Sequence, residues 1–238
     1  MTQRISRRRA LGAFGTVSLG ALLGACGSDE PRVATTDGGD ATVEPKTEPS
    51  SSLADKLDCG ASCAPTVEQT AGPYYFDADA IRSDIREGRP GTPLVLALRV
   101  RSGGECAPVE DAIVDIWHCD AGGVYSGFEA GEGERFLRGA QATNEDGIAR
   151  FTTVYPGFYQ GRTVHVHAKV HLDNATVLTT QLYFDDAVSD RVFAQQPYAD
   201  RGEREQRNDS DGIFDESLVL TLERSGKGYL GLMNFDVA

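Results

Sequence analysis

Val164-His165-Val166-His167-Ala168-Lys169-Val170 alternates apolar positions with polar ones, the pattern of a β-strand whose two faces meet different surroundings. Side chains two residues apart on a strand point the same way, with Cα atoms about 6–7 Å apart. His165 and His167 therefore share a face, and both imidazoles can reach one metal ion. His171 has the same parity, but four strand residues place it about 13 Å from His167, too far to join the pair. Tyr159 and Arg162, just upstream, add a phenol and a fixed cation where the chain enters the strand. Gly122-Gly123-Val124-Tyr125-Ser126 offers a second phenol from a turn. Two phenolates and two imidazoles make a hard, anionic site suited to a ferric ion. The histidine spacing alone fits zinc as well as iron. Zinc usually recruits Cys, His or carboxylate, however, and no third ligand of that kind stands nearby.

Working outward from this strand, Leu94, Leu96, Leu98 and Val100 alternate with Val95, Ala97 and Arg99, which predicts another half-buried strand. Ile113–Trp117, Ile148–Val154, Val177–Phe184 and Leu218–Leu222 continue the series between Gly, Asp and Pro turns. Only Asp77–Glu87 has room for a turn or two of helix. The expectation is a mainly β chain, an antiparallel β-sandwich.

The chain ends differ in kind. Ser6-Arg7-Arg8-Arg9, a short apolar run and Leu23-Gly24-Ala25-Cys26 read as a twin-arginine export signal ending in a lipobox-like motif. The apolar run is too short and Gly-rich for a spanning helix, which needs about 20 apolar residues. Residues 1–26 are thus expected to be a signal peptide, with Cys26 lipidated as the mature start. The mature protein would be an exported, cell-envelope lipoprotein that meets the membrane only through its lipid. Residues 27–57 are rich in Ser, Thr, Asp, Gly, Glu and Pro and read as a flexible acidic tether. Residues 58–238 then form one domain.

Removing residues 1–26 removes four arginines and no acid, taking the formal charge from −13 to about −17. Such a surface argues against nucleic acid or other polyanions as partners. Cys26 apart, Cys59, Cys63, Cys106 and Cys119 remain, an even number that suggests disulfides in an exported chain, with three pairings open. Cys106 precedes a turn and Cys119 ends the next strand, which favours Cys106–Cys119 and leaves Cys59–Cys63 to close a small loop. Free buried thiols or a cysteine metal site are the alternatives.

The run Val114-Asp-Ile-Trp117-His-Cys-Asp-Ala-Gly-Gly-Val-Tyr125 resembles the first tyrosine motif of the intradiol ring-cleavage dioxygenases, the catechol and protocatechuate dioxygenase family. Phe151-Thr-Thr-Val-Tyr-Pro156-Gly157-Phe-Tyr159, followed by Arg162, His165 and His167, resembles their second tyrosine, arginine and histidine pair. Thr180-Gln181-Leu182-Tyr183-Phe184 is similar to a further family segment whose glutamine lies beside the iron. The likeness runs in order from about Glu68 to Tyr183. It implies a β-sandwich core and a non-haem Fe(III) held by Tyr125, Tyr159, His165 and His167, with Tyr159 as the exchangeable ligand. It further implies Arg162 as an electrostatic catalyst, Gln181 beside it, and a catechol-type diol and O₂ as reactants. Gly72-Pro73-Tyr74-Tyr75 resembles a pocket-lining segment, so Tyr74 or Tyr75 is expected to touch the substrate. The helical N-terminal dimerisation domain of catechol dioxygenases has no counterpart, because the tether occupies its place. No organic cofactor is called for.

Other features read as scaffold. His118 is out of register with Trp117. Asn208-Asp209-Ser210-Asp211-Gly212 is similar to a calcium loop, but the remaining spacing fails, so it reads as a solvated turn. Pro108-Val109 to Val114, Asp146-Gly147 to Phe151 and Pro156-Gly157 to Tyr159 also resemble small extracellular sandwich modules. A non-catalytic binding or spacer module is therefore the main alternative, and a zinc hydrolase a third.

Overall fold

The computed structural model describes residues 46–58, 63–76, 78, 80–172 and 175–237, together with the backbone of 32–34 and 40–42. Cys26 and Cys59 lie outside the described residues. A short ribbon, β1 (Arg32–Ala34) paired antiparallel with β2 (Asp40–Thr42), falls inside the stretch expected to be a tether. Eight further strands follow: β3 (Pro93–Ser102), β4 (Ile113–Trp117), β5 (Arg138–Ala142), β6 (Ile148–Val154), β7 (His165–Leu172), β8 (Ala175–Tyr183), β9 (Thr221–Ser225) and β10 (Gly228–Val237). They form two four-stranded sheets, in the orders β6-β3-β10-β9 and β5-β4-β7-β8. All pairings within them are antiparallel except β10 with β3, which run parallel. The result is the expected β-sandwich.

Side chains of alternating parity fill the space between the sheets. Leu94, Leu96, Leu98, Val100, Phe151 and Phe235 from one sheet meet Val114, Ile116, Val166, Ala168, Val170 and Leu182 from the other, all buried. Burying one such side chain contributes about 1.5–3 kcal/mol, so this period-two pattern sets the register of both sheets.

The outer face of β3 departs from the half-buried expectation: Ala97 and Arg99 are buried as well. The cause is helix α1 (Ser51–Asp58), whose Leu53, Ala54 and Leu57 line one face at helical spacing and pack on Ala97, Ile148 and Leu232. Asn234 Nδ2 donates to the Leu57 carbonyl at 2.8 Å and fixes the end of the helix. Ordered packing therefore begins before residue 58: Asn144 Nδ2 already donates to the Thr47 carbonyl at 3.1 Å.

Three other expectations change. Described residues of 77–87 form no helix; Ile81 and Asp84 instead make single bridges to the edge strands at Ala140 and Thr152. The strand expected at Leu218–Leu222 is a 3₁₀ turn, Glu216–Leu218, followed by β9 from Thr221. A second helix, α2 (Asp186–Phe193), is capped by the Asp185 side chain, which accepts from the Val188 N–H.

The disulfide expectation is also corrected: the bond joins Cys63 to Cys106, with Cα atoms 5.6 Å apart. Cys119 is a buried free thiol. Cys106 sits in the turn after β3, and residues 113–119 carry the chain about 20 Å away before Cys119 is reached. Cys119 Sγ instead faces the Gly157 carbonyl at 3.6 Å.

Candidate active site

The candidate site lies on the outer face of the β5-β4-β7-β8 sheet. In β7 the alternation sends Val166, Ala168 and Val170 into the core and leaves His165 and His167 on the other side. Their neighbours on that side follow from register: Trp117 of β4 and Gln181 of β8 flank His167, and Tyr183 flanks His165. An open sheet face would be wet, yet His165 is 3% and His167 1% exposed. The strap 66–75 covers them, laid along β8 by the Gln69 N–H donating to the Thr179 carbonyl at 2.7 Å. Gln181 Nε2 adds a hydrogen bond to the Thr70 carbonyl at 2.9 Å.

Two loops supply the phenols. Asp120 Oδ1 accepts from the N–H groups of Gly122 and Val124 at 2.9 and 3.0 Å, a side-chain-closed turn that presents Tyr125. Gly123 has φ +83°, and a Cβ there would collide with the Phe158 carbonyl. A Cβ on Gly157 would likewise strike the carbonyls of Asp120 and Ala121. Both glycines let the two loops approach backbone to backbone, so Tyr125 and Tyr159 arrive together, ring centroids 5.6 Å apart.

The polar atoms converge. Tyr159 Oη lies 3.0 Å from His165 Nε2, which lies 3.1 Å from His167 Nε2. His165 Nδ1 is 2.7 Å from the Thr163 carbonyl, an acceptor, so Nδ1 carries the proton and the Nε2 lone pair points at its neighbours. Tyr159 therefore donates to His165 Nε2. Tyr125 Oη is buried without a hydrogen bond among the described residues. His167 is held by stacking, its ring 4.9 Å from that of Trp117 and 2° from parallel.

Burial keeps all four groups neutral. It pushes His165 down to about 3, helped by the Arg162 charge, and holds His167 well below the usual imidazole range. Burial raises the Tyr159 phenol to about 12, and Tyr125 well above its ordinary value. The site thus offers two neutral nitrogen donors and two phenols that ionise only beside a strong positive charge. Among the described residues no three His, Cys, Asp or Glu side chains group to hold a metal. The oxygen donors available are phenols, which suits a hard ferric ion and leaves zinc without its usual third ligand.

Arg162 lies in the tight turn Tyr159–Arg162 before β7, where the chain was expected to enter the strand. Its Nη2 donates to Gln181 Oε1 at 2.6 Å and its Nε to Asp211 Oδ2 at 2.9 Å. Asp211 is the residue that the sequence reading missed. Its segment is no solvated turn, since the carboxylate is 2% exposed and pairs with Arg162. Burial alone would raise that carboxyl, but N–H donors from Thr163 and Ile213 and the Arg162 charge hold it below the usual range.

The two candidate pocket tyrosines separate. Tyr74 stacks on Tyr125 at 4.5 Å and meets Tyr159 edge-on at 6.1 Å. Tyr75 turns away to pack on Trp117 at 4.7 Å, with its hydroxyl 3.3 Å from Asp115 Oδ2. Tyr74 alone of the pair contacts the phenols. His118 is scaffold: it bonds the Cys119 carbonyl and Thr153 Oγ1, both at 2.7 Å, and joins the two sheets.

Comparison with known proteins agrees with this geometry. A family model described as Dioxygenase matches residues 70–222. A chlorocatechol 1,2-dioxygenase from Cupriavidus pinatubonensis is 34% identical over 136 residues, covering 48% of this chain and 52% of that protein. Catechol 1,2-dioxygenase 1 of Acinetobacter lwoffii is 31% identical over 135 residues, 46% of this chain and 43% of its own. The match thus spans about half the length of these relatives. Among solved structures, an intradiol ring-cleavage dioxygenase from Tetranychus urticae superposes with TM-score 0.70 at 32% identity, covering 74% of this chain and 94% of that one. The dioxygenase domain of a carbohydrate-binding fusion from Streptomyces sp. SirexAA-E gives 0.60 at 32% identity, over 74% of this chain and all of that domain. With Tyr125, Tyr159, His165 and His167 already gathered in one cluster, the chain belongs to the intradiol ring-cleavage dioxygenases.

Proposed function

We propose that the protein cleaves a catechol-type ring between its two hydroxyl-bearing carbons, using O₂ and giving a cis,cis-muconate-type diacid. Both oxygen atoms enter the product, so no reductant or organic cofactor is consumed. The observation that carries the reading is the convergence of Tyr159 Oη, His165 Nε2 and His167 Nε2 within 3.1 Å steps, beside the buried Tyr125 hydroxyl. These four side chains would hold Fe(III), which when bound draws protons off phenols and couples the ring electrons to O₂.

The protein's own groups then divide the work. Tyr125 is 4% exposed, whereas Tyr159 is only partly buried, so Tyr159 is the phenol that can swing aside for substrate. Freed as a phenolate, Tyr159 Oη would accept the proton of the second catechol hydroxyl as the diol binds. Tyr74, stacked beside Tyr125, offers a flat wall for the ring. Arg162 carries the fixed positive charge that favours negative charge developing on the opened ring.

The assay is oxygen uptake and absorbance with a panel of catechols on iron-loaded protein. A burgundy protein that consumes one O₂ per ring supports the reading; a colourless protein inert to every catechol overturns it. The location is part of the same proposal. Twin arginines and Leu23-Gly24-Ala25-Cys26 support export and lipidation at Cys26, which would place ring cleavage at the cell envelope.

A further inference from the structure

The segment 207–214 has no part in the chemistry above, yet it is built onto the site. Asp211 Oδ2 accepts from Arg162 Nε at 2.9 Å and from the Thr163 N–H at 2.8 Å, while Oδ1 accepts from the Ile213 N–H at 3.0 Å. Asn208 reinforces the seam, accepting from Thr163 Oγ1 at 2.7 Å and donating to the Phe184 carbonyl at 2.9 Å. Across the guanidinium, Nη2 donates to Gln181 Oε1, and Gln181 is itself tied to the Thr70 carbonyl. One edge of Arg162 is therefore held by Asp211 and Gln181. No hydrogen bond from Nη1 to a described residue accompanies them.

We propose that Asp211 is a positioning residue of the ring-cleavage reaction, acting through Arg162. A guanidinium is a rigid planar fork, so anchoring Nε and Nη2 sets its plane and leaves the Nη1 N–H groups for an anionic oxygen of the bound ring. The same carboxylate oxygen also holds the Thr163 backbone, two residues before His165. The cation and the histidine strand thus take their position from one atom. A lysine at 162 would keep the charge and lose this orientation. The inference rests on the catechol reading above.

The test is a double-mutant cycle on full-length, iron-loaded protein. Asp211→Asn should lower kcat for catechol about 100-fold, the scale of a small misplacement of a catalytic group, while iron content and the visible band stay unchanged. In an Arg162→Ala background the same change should add less than about twofold, because the groups act as one unit. Full multiplication of the two losses, or an unchanged kcat in Asp211→Asn, overturns the proposal. Arg162→Lys removes the Nε contact without touching Asp211 and should show the same loss of kcat; a full-rate Arg162→Lys also overturns it. The cycle is repeated on binding of 4-nitrocatechol, followed by absorbance. Wild-type protein that binds this probe but consumes no O₂ refutes the reaction reading, and equal weakening by Asp211→Asn and Arg162→Ala still upholds the positioning role.

Discussion

Replacing Cys63 and Cys106 together by alanine removes a covalent tie between the segment leading into the strap that covers the histidines and the turn after β3. The cysteines are 43 residues apart in sequence. Closing a loop of that size restricts the unfolded chain by about 13 cal/mol/K, so the bond contributes about 4 kcal/mol at 25 °C. A domain of this size has an unfolding entropy that turns this into a fall in Tm of about 10 °C. The native strap should nevertheless stay in place at room temperature, because the Thr66 N–H still donates to the Asp236 carbonyl at 3.0 Å and the Asp236 N–H to Thr66 Oγ1 at 2.8 Å. Oxygen uptake at 25 °C should therefore survive while urea and thermal midpoints fall. Peptide mapping under non-reducing conditions should find Cys63 joined to Cys106, with Cys119 alkylated only after unfolding, since burial pushes its thiol up to about 12. A double variant within about 1 kcal/mol of wild type, or a peptide joining Cys106 to Cys119, refutes this account.

His165→Ala and His167→Ala should each lose bound iron by elemental analysis; full iron in both variants moves the site elsewhere. Tyr159→Phe should keep iron, shift the visible band and slow turnover about 100-fold or more, the scale of a lost proton acceptor, so an unchanged rate removes its proposed role. His118 should set an acid limit. Burial holds its imidazole down to about 4 in the fold, while the unfolded chain takes a proton near pH 6.5. Its contribution is full above pH 6.5 and lost as pH falls toward 4, about 3 kcal/mol in all, so urea midpoints should drop across that window and less steeply in His118→Gln. Cys26→Ser should release the protein from membranes without changing iron content or ring cleavage; a variant that still sediments with washed membranes refutes the anchor.

What could be read from the chain depended on how local the cause was. The His165-Val166-His167 parity is a property of one strand, and the register of β7 preserves it. Tyr125 and Tyr159 each stand two residues after a turn glycine, which made their place on loops legible, whereas their gathering at one site was implied by the family resemblance. β5 was missed because Arg138-Gly-Ala-Gln-Ala142 has little β-propensity of its own and is held as a strand by β4. The double burial of β3 depends on α1, which packs from 40 residues away in a stretch read as tether. Tyr74 and Tyr75 are neighbours with opposite fates, decided by which of Tyr125 and Trp117 each ring meets. Asp211 stands among Asn, Asp, Ser and Gly, a turn composition, and its partner Arg162 is 49 residues upstream, so no local pattern announces it.

The division between sheet and loop is also a division of chemical labour. The imidazoles project from a central strand paired on both sides, and His165 Nδ1 is fixed by the carbonyl of its own entry turn. Such donors move least, which suits ligands that stay bound. The phenols come from loops, and the two loops are not equal. Tyr125 follows a turn closed twice by Asp120 and is almost fully covered, whereas Tyr159 ends a loop and is only partly buried. A ligand that must leave and return, the role proposed for Tyr159, would be best placed on the looser segment, and Tyr159 lies on that segment. Arg162 shares that turn, yet Asp211 and Gln181 hold it firmly. In the proposed reaction the turn 159–162 would combine a phenol free to exchange with a cation that is not, so that substrate would enter without displacing the charge that receives it.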